Sequence, residues 1–148
     1  MNNIYHERIS FGRRLEFLTI AKLIKEGVDV YMSLVDDRGV DCVIRTVKGR
    51  YLDIQIKARS RNCRPENIAH FPGMKIDEVR KNYFFIFYSE ELDKYWVIPS
   101  SVVVEKSQKA KSGKNAGKYY LTLARPVRDG IKYNEDFIKY IDAFKLLK

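Results

Sequence analysis

The segment that most constrains the fold runs from Tyr83 to Ser89, with the sequence Tyr-Phe-Phe-Ile-Phe-Tyr-Ser. A run this short and this apolar predicts a central strand that is buried on both faces of its sheet. After a turn, residues 94–99 predict a strand that returns as its hairpin partner and carries Trp96, the only tryptophan. Aromatic rings can also stack on nucleic-acid bases, but packing in the core explains a run of this density better.

A second stretch, residues 51–58, alternates between apolar and polar side chains. Alternate side chains point to opposite faces of a strand, so the pattern predicts a strand with one face in the core. Its other face is polar, and such a face is ordinarily solvated. The strand alone therefore leaves open whether that face has a chemical role. The apolar set is Leu52, Ile54 and Ile56, and the polar set is Asp53, Gln55 and Lys57.

Further periodic segments complete the predicted fold. Residues 8–26 have the periodicity of a helix. Residues 28–35 and 40–47 predict two strands that form an antiparallel meander with the alternating strand, because the turns between them are short. Asn134 is expected to cap a last helix. We therefore predict a single domain over residues 1–148, with an α/β (α+β) fold in which an N-terminal and a C-terminal helix flank a central mixed sheet.

Three segments are predicted to lie outside this framework. Residues 71–73 have the composition of a turn, and residues 75–81 could form a short helix. Residues 106–118 contain five lysines and no acidic residue, which indicates a polar, mobile loop. That loop could grip a phosphate backbone, or it could be a solvated excursion without a partner.

The charge of the chain narrows the class of partner. It carries 28 Lys+Arg against 19 Asp+Glu, a formal net charge of +9, which favours a polyanion such as nucleic acid. No window approaches the roughly 18 uncharged apolar residues of a membrane span, and the N-terminus lacks the apolar core of a signal peptide. We therefore expect a cytoplasmic location and no membrane partner. Cys42 and Cys63 have no C-x-x-C spacing, which indicates reduced thiols and makes zinc a poor candidate.

Two acids and a lysine form a candidate constellation. Glu16 lies on a helix stripe with apolar residues, so it needs a cation, a donor or a metal as partner; pairing with Arg13 or Arg14 would also satisfy it. Asp41 begins the second strand, and a short turn can bring it near Lys57. Hydrolysis of a phosphodiester needs carboxylate oxygens that hold a hard divalent cation, and a further cation that orients the attacking water or offsets developing charge. These residues meet the requirement by type.

At these positions the chain resembles the PD-(D/E)xK nuclease superfamily, which includes Holliday-junction resolvases, restriction enzymes and homing endonucleases. The resemblance covers residues 10–59 and implies a restriction-endonuclease-like fold and hydrolysis of DNA. It implies that Mg²⁺ or Mn²⁺ is bound by Glu16, Asp41, Gln55 and the backbone carbonyl of Ile56, with Lys57 as the catalytic lysine. The matching motifs are Gly12-x-x-x-Glu16, Gly39-Val40-Asp41 and Gln55-Ile56-Lys57.

The chain departs from the superfamily pattern at two positions. Val40 replaces a proline, which is a tolerable change. Gln55 replaces an acid; its amide oxygen can coordinate Mg²⁺ but brings no charge, so metal affinity should fall. Asp53, on the same strand face, could compensate. The alternatives are a catalytically inactive nucleic-acid-binding module that retains the fold, and a partner-binding protein whose basicity is incidental.

Basic side chains outside the motifs are candidates for contacts with DNA phosphates. One group follows the alternating strand, and the other lies in the lysine-rich segment. Cleavage of both strands of a symmetric target would also favour a homodimer or a higher oligomer. The candidate phosphate-binding residues are Arg59, Arg61, Arg64, Lys109, Lys111 and Lys114.

Overall fold

The computed structural model describes residues 4–37, 39–76 and 79–148, with the backbone alone described for residues 4–9 and 36–37. Its first element is helix α1 (Ile4–Lys25), which begins earlier than the predicted 8–26. No helix in the described part of the chain has the length and apolar character needed to cross a membrane.

The strands form two sheets. In chain order they are β1 (Asp29–Asp37), β2 (Val40–Arg45), β3 (Tyr51–Arg59), β4 (Ala69–Met74), β5 (Tyr83–Ser89), β6 (Lys94–Pro99), β7 (Gln108–Lys109), β8 (Tyr119–Val127) and β9 (Gly130–Tyr133). The first sheet has the order β1-β2-β3-β5-β6, and the second has the order β4-β8-β7 with β9 also paired to β8. Among these strands β3 and β5 run parallel, and all other pairs are antiparallel. The predicted mixed sheet with an antiparallel meander is confirmed.

The apolar run forms the centre of the first sheet. β5 lies between β3 and β6, and all of its side chains are buried. On one face of the sheet, core residues come from α1 and the C-terminal segment, including Leu15, Leu23 and Phe144. On the other face they come from the second sheet, including Phe71 and Leu121. The predicted burial on both faces is therefore confirmed, and on one face it is the second sheet that packs against β5.

β3 keeps the predicted alternation. Its apolar side chains are buried in the core beneath α1, and its polar side chains are half-buried on the opposite face. That polar face points to the side of the second sheet, because Asp53 pairs with Tyr83 in the ladder and the Tyr83 ring belongs to the second core. The polar face of β3 therefore borders the second sheet and is only partly open to water.

Helix α1 packs with a narrower face than its sequence indicates. Apolar periodicity assigns Phe17, Leu18 and Ile24 to apolar rows, yet they are 52%, 47% and 60% exposed. Thr19 is buried instead, and its hydroxyl donates to the Leu15 carbonyl at 2.9 Å. The buried side of the helix takes one residue from each apolar row, Leu15 and Ile20, and an apolar pattern alone does not show where on the helix this side lies.

Several predicted irregular segments take a different form. Residues 71–73 lie within β4, where the register with β8 shifts beside Gly73, so the turn prediction is wrong. The described part of 75–81 contains no helix. Residues 106–118 complete helix α2 (Ser100–Lys106), form β7 and close a hairpin with β8. In that hairpin, Ala110 N–H donates to the Lys118 carbonyl at 2.9 Å and Gly117 N–H donates to the Ala110 carbonyl at 2.8 Å. The segment is thus a hydrogen-bonded ribbon.

The C-terminal helix is present as two short 3-10 helices, Glu135–Tyr140 and Phe144–Leu147. Asn134 caps the first as predicted, and its side chain accepts from the Asp136 N–H at 3.2 Å. The chain turns between the two helices, where Asp142 N–H donates to the Tyr95 carbonyl at 2.7 Å. This bond to the edge strand β6 competes with continuation of an α-helix.

Candidate active site

The pairing of β2 with β3 stops before either strand ends. Its last pair on this side joins Cys42 with Ile54. Beyond it, the Asp41 carboxylate replaces a backbone partner: its Oδ2 accepts the Ile56 N–H at 2.6 Å. The N–H and C=O of one residue point to the same side of a strand, so the Ile56 carbonyl also faces the side of Asp41. A carboxylate and a backbone carbonyl therefore lie beside the gap between these strands.

The Gln55 amide lies next to this gap and is held by Tyr83. The Tyr83 hydroxyl is 3.0 Å from Gln55 Oε1 and 3.0 Å from the Gly39 carbonyl oxygen. Gly39 has φ of +69°, and a Cβ built there would lie 3.0 Å from Gln55 Nε2. The start of β2 therefore needs glycine both for its backbone conformation and for the space that the Gln55 amide occupies.

Glu16 approaches from α1. Its side chain is 18% exposed, and its Oε1 is 3.2 Å from Arg13 Nη1, which is one of the partners expected from the sequence. Burial, followed by the charges of Asp41 and Glu16, raises the pKa of the Cys42 thiol to about 12. Both carboxylates therefore lie within electrostatic range of the same thiol, although they come from different elements.

Lys57 follows Gln55 on the same face of β3. It pairs with Phe87 in the β3–β5 ladder and is half-buried. Its ammonium makes no ion pair with any residue that the structure describes. A half-buried ammonium without an ion-pair partner among the described residues has the chemistry to contact an anionic ligand.

Asp53, two residues before Gln55, is committed elsewhere. Its Oδ2 is 2.6 Å from Arg80 Nη1, in a pair whose side chains are 31% (Arg80) and 19% (Asp53) exposed. The Arg80 guanidinium also lies 4.6 Å from the centre of the Tyr83 ring, and Ser100 Oγ donates to the Arg80 carbonyl at 3.0 Å. The ion pair argues against Asp53 as a substitute for the acid missing at position 55.

No protein-family model matches the sequence, and no curated protein matches it either. Among solved structures, the chain is similar to a bacterial homing endonuclease, I-Ssp6803I, with a TM-score of 0.57 and 20% sequence identity. The alignment covers 91% of this chain and 87% of that chain. The chain has a nuclease-like fold.

The metal ligands expected from the sequence are oxygen atoms alone: the Glu16 and Asp41 carboxylates, the Gln55 amide oxygen and the Ile56 carbonyl. The structure places Asp41, Gln55 and Ile56 beside the gap, and it places Glu16 within electrostatic range of Cys42. Mg²⁺ and Mn²⁺ favour such hard ligands. In the ranges that the structure describes, no cluster of three or more His, Cys, Asp or Glu residues could hold a metal. The chemistry of the residues fits a hard divalent cation.

The basic residues at the end of β3 and just after it differ in their contacts. Arg59 Nε donates to the His70 carbonyl at 2.6 Å, and its guanidinium lies 5.9 Å from the centre of the Phe71 ring. Burial lowers the pKa of Arg59. These contacts tie β3 to β4 and argue against a phosphate contact by Arg59. Arg64 is exposed, and Arg61, 62% exposed, reaches Glu90 at 3.6 Å.

The lysine-rich ribbon displays its cations to solvent. Lys109, Lys111 and Lys114 are all exposed. The Lys109 ammonium lies 4.9 Å from the centre of the Tyr119 ring, which supports the side chain without covering it. The tip of the ribbon packs against β4, where a Cβ on Gly73 would lie 3.1 Å from Asn115 Oδ1. These three of its five lysines therefore project from a hydrogen-bonded hairpin.

Two residues that contact the candidate site, Tyr83 and Arg80, are not indicated as such by the sequence. Tyr83 belongs to an apolar run and is expected to be core, and its ring is indeed 5% exposed. Its position at the first residue of the buried strand, with a hydroxyl, is the one signal of a polar contact at the strand end. Arg80 precedes β5 in a segment without a periodic pattern, so nothing in the sequence indicates its pairing with Asp53.

Proposed function

We propose that the protein is a metal-dependent endonuclease that hydrolyses DNA phosphodiester bonds. Glu16, Asp41, Gln55 and the Ile56 carbonyl would hold Mg²⁺ or Mn²⁺. The observation that carries the proposal is the 2.6 Å bond between the Asp41 carboxylate and the Ile56 N–H. It fixes an acid at the open end of the β2–β3 pairing, on the strand pair that also carries Gln55 and Lys57.

A bound divalent cation would lower the pKa of a coordinated water and neutralise charge on the phosphate. The chain's own residues supply the rest. The Ile56 N–H fixes the Asp41 carboxylate, so that little reorganisation is needed when substrate binds. The Lys57 ammonium would donate hydrogen bonds to the attacking water or to a phosphate oxygen, and its charge would offset negative charge that develops there. A DNA strand would lie across the open end of the β2–β3 pairing, beside Gln55 and Lys57.

Cations away from the site would hold the rest of the substrate. Arg61 and Arg64 flank the end of β3, and Lys109, Lys111 and Lys114 project from the ribbon. Contacts of this kind fix the register of a duplex without reading its sequence. We further propose that residues 1–148 act as one nuclease domain, and that two copies cooperate where both strands of a symmetric site are cut.

Purified protein incubated with Mg²⁺ or Mn²⁺ tests the proposal on supercoiled, linear, nicked and four-way-junction DNA. We expect cleavage that falls by at least about 100-fold in Asp41→Ala and Lys57→Ala, the scale of removing one electrostatic interaction with the transition state. Asp129→Ala and Lys145→Ala, which remove exposed charges of the same types, serve as matched controls and should cut normally. Cleavage that survives both site variants, or none on any substrate, would refute it.

A second candidate is a nucleic-acid-binding module without catalysis. Gln55 favours it, because the site then has two carboxylates and a weaker hold on a cation. This candidate predicts DNA binding that weakens with salt and is unchanged when EDTA removes divalent ions. Loss of binding on chelation would exclude it, and the same binding assay run beside the cleavage assay separates the two.

A further inference from the structure

The Tyr83 hydroxyl has one proton and lies within hydrogen-bond distance of two oxygen acceptors from other described residues. Its hydroxyl oxygen is 3.0 Å from the Gly39 carbonyl oxygen and 3.0 Å from Gln55 Oε1. A hydroxyl donates one hydrogen bond, so in this arrangement the proton serves one of these oxygens at a time. The other oxygen then faces the Tyr83 oxygen without a hydrogen between them, and a covered polar atom left in that way costs free energy.

A rotation of the Gln55 amide removes the conflict. Turning the amide by 180° exchanges Oε1 and Nε2, so that Nε2 donates to the Tyr83 oxygen. The hydroxyl proton is then available to the Gly39 carbonyl, so that the Tyr83 O–H and one Nε2–H each have an acceptor. The rotated amide puts Oε1 where Nε2 now lies, beside Gly39, with 3.0 Å to the position of a Cβ on that residue. Gly39 begins the turn into β2, two residues before Asp41.

The Tyr83 ring is packed tightly enough to determine the orientation of the Gln55 amide. It is 5% exposed, the Arg80 guanidinium lies 4.6 Å from its centre, and the Phe85 ring lies 5.1 Å away. The hydroxyl therefore cannot swing to another partner without moving core residues. An acid at position 55 would not need a partner that fixes its orientation, because both terminal atoms of a carboxylate are oxygen. The partner matters here because residue 55 is a glutamine, whose amide has one oxygen and one nitrogen.

We propose that Tyr83 is a positioning residue: it receives the Gln55 Nε2–H, gives its proton to the Gly39 carbonyl, and so turns Gln55 Oε1 toward the divalent cation. This rests on the proposed function, since it assumes a cation at the gap beside Asp41. Groups that orient a metal ligand through a hydrogen bond typically change metal affinity by about 10-fold to 100-fold when removed. Tyr83 would act through Gln55 and would not touch the substrate.

The chain offers an internal control for a direct test. It has two glutamines, Gln55 and Gln108, and the Gln108 side chain also has a tyrosine partner, because the Tyr120 hydroxyl donates to Gln108 Oε1. Protein labelled with ¹⁵N-glutamine therefore shows two side-chain amides by NMR, each with a tyrosine partner. Tyr83→Phe and Tyr120→Phe remove one hydroxyl each, and Gln108→Glu assigns the signals.

Titration with Mn²⁺ is the deciding measurement, because this paramagnetic ion broadens signals of nearby groups. We expect the Gln55 amide to broaden at an Mn²⁺ concentration about 10-fold higher in Tyr83→Phe than in the natural protein. Tyr120→Phe should leave that concentration unchanged. In a Gln55→Glu background, followed by Mn²⁺ binding, adding Tyr83→Phe should change affinity by less than about 3-fold, because the orientation problem is gone.

The outcomes separate the two proposals. Equal Mn²⁺ titrations of the natural protein and Tyr83→Phe would overturn the role of Tyr83, as would the absence of any effect of Mn²⁺ on Gln55. The same 10-fold loss in the Gln55→Glu background would also overturn it, because the effect would not pass through the amide. A shifted titration in a protein that cuts no DNA would uphold the role of Tyr83 and refute the endonuclease.

Discussion

Arg80 holds the carboxylate of Asp53 at 2.6 Å, in a pair whose two side chains are mostly covered. Asp41, on the adjacent strand, is instead oriented by the backbone N–H of Ile56. Two acids on neighbouring strands of one sheet thus have different partners, a guanidinium in one case and a peptide group in the other. The difference argues for a structural role of Asp53 and supports the metal-binding role that we propose for Asp41.

Replacing each acid by its amide separates these roles. Asp53→Asn should lower the free energy of unfolding by about 1 kcal/mol, a modest value because the Arg80 end of the pair is partly solvated. Its DNA cleavage and its dependence on Mn²⁺ concentration should not change. Asp41→Asn keeps an oxygen for the Ile56 N–H, so it should fold normally and lose cleavage. Urea unfolding and plasmid cleavage measure the two effects, and loss of cleavage in Asp53→Asn would contradict the assignment.

Gly39 and Gly49 form a matched pair for testing the space around Gln55. Both have positive φ, +69° and +77°, so alanine at either should cost about 1–2 kcal/mol of stability from backbone strain. A Cβ on Gly39 would also lie 3.0 Å from Gln55 Nε2, whereas one on Gly49 would meet nothing within 4 Å. Gly39→Ala should therefore reduce cleavage and shift the Gln55 amide signal, and Gly49→Ala should do neither.

Denaturant unfolding checks that the two alanine variants lose similar stability. If Gly39→Ala cuts DNA as well as Gly49→Ala does at a temperature where both are folded, the Gln55 amide has no part in the site.

The sequence predicts the sheet well where side-chain period and burial agree. β3 alternates and β5 is apolar throughout, and both patterns follow from which faces are covered. It fails where partners distant in sequence decide the outcome. The exposed face of α1, with Phe17 and Ile24, is apolar without being buried, and the C-terminal segment breaks at Asp142 because β6 offers a hydrogen bond there.

The sequence indicates the motif residues of the candidate site. It does not indicate the residues that contact and orient them. Glu16, Asp41 and Lys57 are suggested by residue type, Gln55 is implied by the resemblance to the superfamily, and the roles of all four stay predictions. Tyr83 and Arg80 are not indicated, because their roles depend on the parallel pairing of β3 with β5, which brings together residues 28 positions apart, Gln55 and Tyr83. No local pattern encodes which tyrosine of an apolar run points its hydroxyl at a strand end.

His70 should make stability depend on pH. Burial, followed by the charge of Arg59, lowers the pKa of His70. As pH falls through about 6.5, the unfolded chain therefore binds a proton that the folded chain does not, and stability declines until the folded pKa is passed. Above about pH 7, His70 is neutral in both the folded and the unfolded chain, so the protein has the full stability that the neutral side chain allows. His70→Asn should show a smaller loss of unfolding free energy between about pH 7 and pH 5.5 by urea titration.

Thr122 offers a hydrogen-bond partner to the side chain at position 70 in both the natural protein and His70→Asn. His70 Nδ1 lies 2.8 Å from Thr122 Oγ1, and the asparagine amide can reach the same hydroxyl, so the variant should fold at neutral pH. An unchanged decline between the two pH values in His70→Asn would show that other groups, such as carboxylates, account for all of it.

The lysine ribbon should contribute to DNA affinity by neutralising phosphates. Replacing Lys109, Lys111 and Lys114 by Gln should weaken binding and reduce the slope of log affinity against log salt by about 0.9 for each phosphate that is no longer neutralised. A second triple variant, Lys25→Gln with Lys145→Gln and Lys148→Gln, removes the same charge from exposed positions outside the ribbon. It should change the slope much less, because only cations at the interface release counterions. Fluorescence anisotropy with labelled duplex over a range of salt concentrations measures both, and equal slopes for the two variants would mean that total charge, not the ribbon, determines binding.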